Sequence, residues 1–188
     1  MMMETIRMMM VLTVLCGLIY PLAITGVAQL VFPKQARGSL LVENGRITGS
    51  QLIGQQFDDP RYFWSRPSAT PSFPYNSAAS SGSNLGPTNP ARRKAMDARR
   101  DALQAAGPGG STAPVPIDLI TASASGLDPH ISPEAAAYQA RRVARVRGMP
   151  LDQVESLIRS HTYGPQFGVF GNPVVNVVLL NRDLDRGR

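Results

Sequence analysis

Hydrophobic and polar positions divide this chain into two unlike parts. Residues 8–32, MMMVLTVLCGLIYPLAITGVAQLVF, contain no charged side chain. As a helix this run rises about 37 Å, more than the hydrocarbon core of a bilayer requires. Arg7 precedes it, and Lys34 and Arg37 follow. Pro21 predicts a kink near its middle, because proline lacks the amide hydrogen that the carbonyl one turn earlier needs. Gly17 and Gly26 thin the helix surface, while Thr13, Tyr20, Thr25 and Gln29 add polar atoms, a composition suited to packing against other membrane helices. A cleaved signal peptide is the rival reading, since Gly26 and Ala28 stand at the small-residue spacing of a cleavage site before Gln29. The length of the run and the apolar residues Leu30, Val31 and Phe32 favour a retained anchor. Leu15 is too bulky before Cys16 for a lipid-attachment site.

From Pro33 onward the pattern predicts one loop-rich α+β domain, giving an N-terminal segment at 1–7, a spanning helix at 8–32 and a soluble body at 33–188. SLLVENGRITG reads as a hairpin turning at Asn44-Gly45. Ile53 and Phe57 lead into an aromatic cluster at Tyr62, Phe63 and Trp64. A long Pro/Ser/Gly tract follows, SRPSATPSFPYNSAASSGSNLGPTN, which Phe73 and Tyr75 pin down. Asn89 as N-cap and Pro90 at the first helical position start a helix that ends at Gly107, with Ala91, Ala95, Ala98 and Ala102 as its narrow face. PVPIDLITASASG reads as an extended strand entering a second small-residue loop. Ser132, Pro133 and Gly148 bound a further helix, and PLDQVESLIRSH makes another, with Leu151, Val154, Leu157 and Ile158 on one face. VVNVVLLN reads as a buried strand, with a short helix as the alternative.

Composition narrows the chemistry. Seventeen Gly and sixteen Pro in 188 residues fit a loop-rich body, and a net charge of +6 suits an anionic partner, a membrane surface or solubility alike. One cysteine excludes an internal disulfide and a cysteine-rich zinc site. Ser123, Ser125, Asp128 and His130 lie close together in ITASASGLDPHIS, but no GxSxG elbow accompanies them, and a structural loop is the better reading. Two distant histidines without a carboxylate cluster argue against a metal site. The basic stretches 92–100 and 141–147 lack interleaved aromatic platforms, so solvated helix faces or contacts with lipid headgroups are preferred to nucleic-acid binding. No GxxxxGK[ST] loop and no phosphorylatable Asp in a DKTGT setting occur, so the chain carries no ATP-hydrolysing machinery of its own. SSGSNLG resembles an anion-holding loop, although most such loops are turns.

The segments GSQLIGQQF, FWSRPSAT, YNSAASSGSNLGPTNP, ITASASGLDPHISPEAA, RVARVRG and NPVVNVVLLN, in this order, resemble the C subunit of the Kdp potassium-transporting P-type ATPase. That resemblance implies an accessory subunit of the bacterial inner membrane, single-pass, with a cytoplasmic N-terminus and a periplasmic domain. Its partners would be a channel-like potassium-binding subunit and a separate ATP-hydrolysing subunit, besides the lipid bilayer. Potassium would be transported by the complex and not bound here. The family is described as a catalytic chaperone that raises ATP affinity through a shared nucleotide complex, and Gln139, in EAAAYQARRVA, matches the glutamine invoked for it. ATP is cytoplasmic, so either the effect travels through helix packing or the topology differs; the anchor favours the first. The expected docking surface comprises Arg66, Pro67, Ser68, Tyr75, Asn76, Gly82, Asn84, Leu85, Gly86 and Asn89 of the long tract and Ser125, Gly126, Leu127 and Asp128 of the second loop. Two alternatives stay open: a secreted or anchored binding module outside any pump, and an anchored hydrolase using Ser125 and His130.

Overall fold

The computed structural model describes residues 2–107 and 113–187. The chain divides into two compact units, Met1–Ser50 and Gln51–Arg188.

In the first unit a single helix, α1, runs Met2–Val31, starting before the apolar run does, and it is long and apolar enough to cross a membrane. The defect that Pro21 introduces is absorbed by a π-helical turn at Leu15–Ile19, closed by the Tyr20 amide donating to the Leu15 carbonyl. The Thr13 hydroxyl donates to the Met9 carbonyl at 2.8 Å, so this polar group is satisfied within the helix. A single turn, α2 (Pro33–Ala36), precedes the antiparallel strands β1 (Leu40–Glu43) and β2 (Arg46–Ser50). Asn44 and Gly45 turn between them with φ of 50° and 76°, the positive values expected for this dipeptide.

The second unit is α+β. Helices α3 (Pro90–Ala106), α4 (Ile117–Ile120), α5 (Pro133–Arg147), α6 (Leu151–Ser160) and α7 (Val177–Arg186) surround a small antiparallel sheet. Its strands β3 (His130–Ile131), β4 (Thr162–Tyr163) and β5 (Val174–Asn176) are ordered β3-β5-β4. Phe63, Leu119, Val143, Val154, Val175 and Leu180 are among the fully buried side chains of its core. Helix α5 starts where expected, its Ser132 hydroxyl accepting from the Ala135 amide, and ends at Gly148 with φ of 66°.

Three expectations need correction. Helix α3 turns its alanines outward: Ala91, Ala95, Ala98 and Ala102 are exposed, whereas Arg92, Met96, Arg99, Leu103 and Ala106 form the inner stripe. Arginine stems cover more apolar surface than a methyl group does, which decides the rotation. The segment PVPIDLITASASG is not a strand; after Pro116 it forms the single turn α4, whose Asp118 accepts from the Ser132 amide at 2.7 Å. VVNVVLLN divides: three residues form the central strand β5, then the Asn176 side chain caps the Leu179 amide and α7 begins.

Candidate functional site

The long tract and the second loop meet. Ser68 Oγ donates to the Gly126 carbonyl at 2.7 Å and accepts from the Tyr75 amide at 2.9 Å. The Pro67 carbonyl accepts from the Ser123 amide, and the Ser125 carbonyl accepts from both the Ser81 amide and Ser80 Oγ. Leu127 gives its carbonyl to the Gly54 amide, and Tyr75 donates its hydroxyl hydrogen to the Arg66 carbonyl. Arg66 closes the arrangement with Nη1 3.3 Å from the Asp128 carboxylate and Nη2 3.4 Å from the Ala122 carbonyl. Gly126 makes the approach possible: its φ is +68°, and a Cβ there would lie 2.6 Å from the Ser81 carbonyl oxygen. A Cβ on Gly82 would likewise meet the Ala124 carbonyl at 2.8 Å.

Not all the expected docking residues sit in this interlock. Asn76 braces the tract through the Thr70 hydroxyl and the Pro71 carbonyl. Asn84 and Gly86 are exposed, and Leu85 is half-buried. Asn89 serves α3, accepting from the Ala91 amide, and its own amide donates to the Gly86 carbonyl. Of the SSGS groups that an anion would use, Ser80 Oγ and the Ser81 amide are engaged with the second loop, and Ser81 Oγ donates to the Gly82 carbonyl of its own tract.

Charge reinforces the clasp. Burial acts to raise Asp128, but hydrogen bonds from His130, with the charges of His130 and Arg66, outweigh it and hold the carboxyl below its ordinary value. Burial also pushes the Tyr75 phenol up to about 12, keeping it a donor. The serines of the second loop are structural: Ser123 Oγ accepts from the Gly126 amide, Ser125 Oγ accepts from the Leu127 amide, and His130 Nδ1 lies 3.1 Å from Asp128. At the end of α6, His161 joins Asp183 of α7 at 3.0 Å, while its Nδ1 and Ser160 Oγ share the Leu157 carbonyl. Among the described residues no cluster of three or more metal-ligating side chains is present.

Gln139 lies elsewhere, 1% exposed on α5. Its Oε1 accepts from the Trp64 amide at 2.8 Å and from Arg142 Nη2 at 2.7 Å, and its Nε2 donates to the carbonyls of Trp64 and Ala135. All four hydrogen-bonding capacities of the amide are used, so a ligand reaches it only by unmaking these bonds. Asn181 of α7 treats the preceding residue the same way, accepting from the Phe63 amide at 2.8 Å and donating to its carbonyl at 2.9 Å. Arg99 and Arg142 lie over the Trp64 ring at 5.0 and 4.9 Å. Arg147 grips the Arg61 and Leu184 carbonyls and Asp185. The basic stretch of α5 is thus only partly the solvated face expected of it; Arg141 and Arg145 are exposed, but Arg142 and Arg147 hold the Tyr62–Trp64 segment from within.

One exposed feature escaped the sequence reading. Residues 166–170 form a tight turn bridged by Gln166 and Phe170, with Phe167 93% exposed at φ +54°, and Val169 and Phe170 also outward. The available signal was the glycine-spaced aromatic run YGPQFGVFGNP, inside a stretch from Ser160 to Asn181 with no Asp, Glu, Lys or Arg.

Comparison with known proteins agrees over almost the whole chain. The family model described as "KdpC: K+-transporting ATPase, c chain" matches residues 2–186. The potassium-transporting ATPase KdpC subunit of Methylococcus capsulatus (strain Bath) is 58% identical over 178 residues, covering 95% of this chain and 93% of that one. The KdpC subunit of Polaromonas naphthalenivorans (strain CJ2) is 60% identical over 175 residues, covering 93% and 89%. That of Sorangium cellulosum (strain So ce56) is 58% identical over 181 residues, covering 96% and 95%.

Proposed function

This chain belongs to the KdpC family of K+-transporting ATPase c chains, and from that premise we propose that it is a membrane-anchored, non-catalytic accessory subunit that works by contact. Helix α1 would hold it in the bacterial inner membrane with the body on the periplasmic side. The interlocked surface built from the long tract and the second loop would then dock on the channel-like subunit, with the ATP-hydrolysing subunit completing the complex. The observation that carries this reading is the clasp itself. Irregular backbone is usually mobile, yet here it is fixed by side chains from both segments, and a preformed surface loses little entropy when a partner binds.

The aromatic turn at residues 166–170 supports the same conclusion. A charge-free tip with Phe167 and Phe170 outward fits the buried anchor of a protein interface, and a subunit of the same ATPase is the partner it would meet. For ATP, the engaged state of Gln139 favours an effect transmitted through packing over direct contact with nucleotide.

Two exposed sets of residues test the docking. Phe167→Ser with Phe170→Ser, and separately Phe73→Asp with Ser83→Arg, leave the internal bonds described above intact. Each pair is expected to lower recovery of the assembled ATPase and potassium-dependent growth at limiting potassium about tenfold, about 1.4 kcal/mol in assembly. Normal assembly and uptake with both pairs would remove the docking reading.

A further inference from the structure

Strands β1 and β2 make a hairpin with two unlike faces. Leu40 and Val42 alternate onto one side of β1, and the register sets Ile47 opposite Val42, so these three share a face. They are 43%, 51% and 66% exposed. Glu43 and Arg46 are partners across the strands on the other face, to which the buried Leu41 also belongs. Apolar side chains gathered at adjacent cross-strand positions form a patch, and a patch calls for a covering where a lone exposed leucine does not.

The hairpin is tied to the end of α1. Apolar residues continue to Phe32, and the first charges after it are Lys34 and Arg37, both exposed. α2 then closes on a Schellman stop, in which the Gly38 amide donates to the Gln35 carbonyl and the Ser39 amide to the Lys34 carbonyl, each at 2.9 Å. Gly38, with φ of 78°, supplies the left-handed residue of that stop. The second bond sets the start of β1 beside Lys34, just past the end of the apolar run. Ser50 Oγ donates to the Gly38 carbonyl at 2.7 Å, so β2 returns to the same point. Val42, with Ile47 beside it, stands only about 7 Å further along β1 than Leu40. The polar layer on each side of the hydrocarbon is about 5–7 Å deep, so a helix that leaves lipid at Phe32 brings this face to it.

We propose that the Leu40–Val42–Ile47 face lies on the phospholipid surface of the membrane that α1 crosses, with Lys34 and Arg37 on lipid phosphates. Lipid is the partner this arrangement selects. The apolar face continues from an apolar helix with two cations between them, matching the acyl boundary and the phosphates of a bilayer. The contact would fix the tilt of the hairpin against the membrane, beyond what a single helix can do. It is separate from the docking of the long tract and the second loop, but it rests on α1 spanning the bilayer.

The test uses the assembled ATPase in vesicles of phosphatidylethanolamine and phosphatidylglycerol, with a benzophenone amino acid replacing Val42, Ile47 or Arg46 in turn. Illumination should join this chain to phospholipid from the Val42 and Ile47 positions about fivefold more than from Arg46 on the other face, read by mass spectrometry. Lys34→Gln with Arg37→Gln should lower the phosphatidylglycerol share of those adducts about threefold or more, because each cation at an anionic surface favours it about fivefold. Adducts to another subunit in place of lipid, or equal lipid adducts at all three positions, would overturn the proposal. An unchanged phosphatidylglycerol share would overturn the pairing of the two cations with headgroups. A chain that resists alkaline carbonate yet gives no lipid adducts would overturn the surface contact and leave the anchor standing, whereas release by carbonate would remove both.

Discussion

Gln139 and Asn181 do for Trp64 and Phe63 what a neighbouring strand does for most extended backbone. Each carboxamide accepts from the amide and donates to the carbonyl of a single residue, so two consecutive buried peptide units are paired without a sheet. Deleting one carboxamide strands a buried donor and acceptor together. Gln139→Ala should therefore cost about 2–4 kcal/mol of stability, since each orphaned group costs about 1–3 kcal/mol. Denaturant unfolding of the full chain in detergent measures this, and Gln139→Glu, which keeps the acceptors for the Trp64 amide and Arg142, should lose less. A normally stable Gln139→Ala protein whose ATPase complex showed only a raised KM for ATP would instead return this residue to the nucleotide. The local sequence carries no sign of the pairing, because residues 64 and 139 meet only through the fold.

At the scale of elements, helix ends and the hairpin were legible, and the short strands of the second sheet were not. Asn89-Pro90, Ser132-Pro133 and Gly148 act locally, through a side-chain cap, a fixed φ and a left-handed stop, and all three stand where the sequence put them. β5 is three residues long and exists because β3 and β4 flank it, a non-local cause that an apolar run cannot announce. The rotation of α3 was misjudged for a related reason, since Arg99 turns inward toward a Trp64 ring that only the tertiary structure brings there. The second loop gives a prediction at this level. The carboxyl of Asp128 is held below its ordinary value of 3.8, so its contribution is complete above that pH and is lost as pH falls through the lower folded value. Hydrogen-exchange protection of the Gly126 and His130 amides should thus decline on acidification from pH 6 to pH 3 in wild type. Asp128→Asn should show low protection throughout with little pH dependence; identical profiles for the two proteins would refute a clasp held by this carboxylate.

For the whole molecule, the division at Ser50 and Gln51 separates a lipid-suited helix and its hairpin from the α+β body. A retained helix makes the body act beside a bilayer, whereas cleavage would release it. In cells of a bacterial host the mature chain should keep the residues before Gln29 and stay with the membrane after alkaline carbonate extraction. A soluble product beginning at Gln29 would establish the signal-peptide alternative. The apolar run was legible because transfer into lipid depends on uninterrupted composition over about 20 residues, a property that needs no tertiary partner.

The amino-acid sequence alone determined the spanning segment, the hairpin turn, the helix caps and the α+β class, and its ordered motifs carried the family resemblance. These are features whose energetics are settled within a few residues, or by composition. The tertiary structure decided the rest: that α3 faces inward through its arginines, that Gln139 is spent on Trp64, and that Ser68 and Gly126 join two distant loops. Each of these depends on groups far apart in the chain satisfying, or failing to satisfy, one another once water has been excluded.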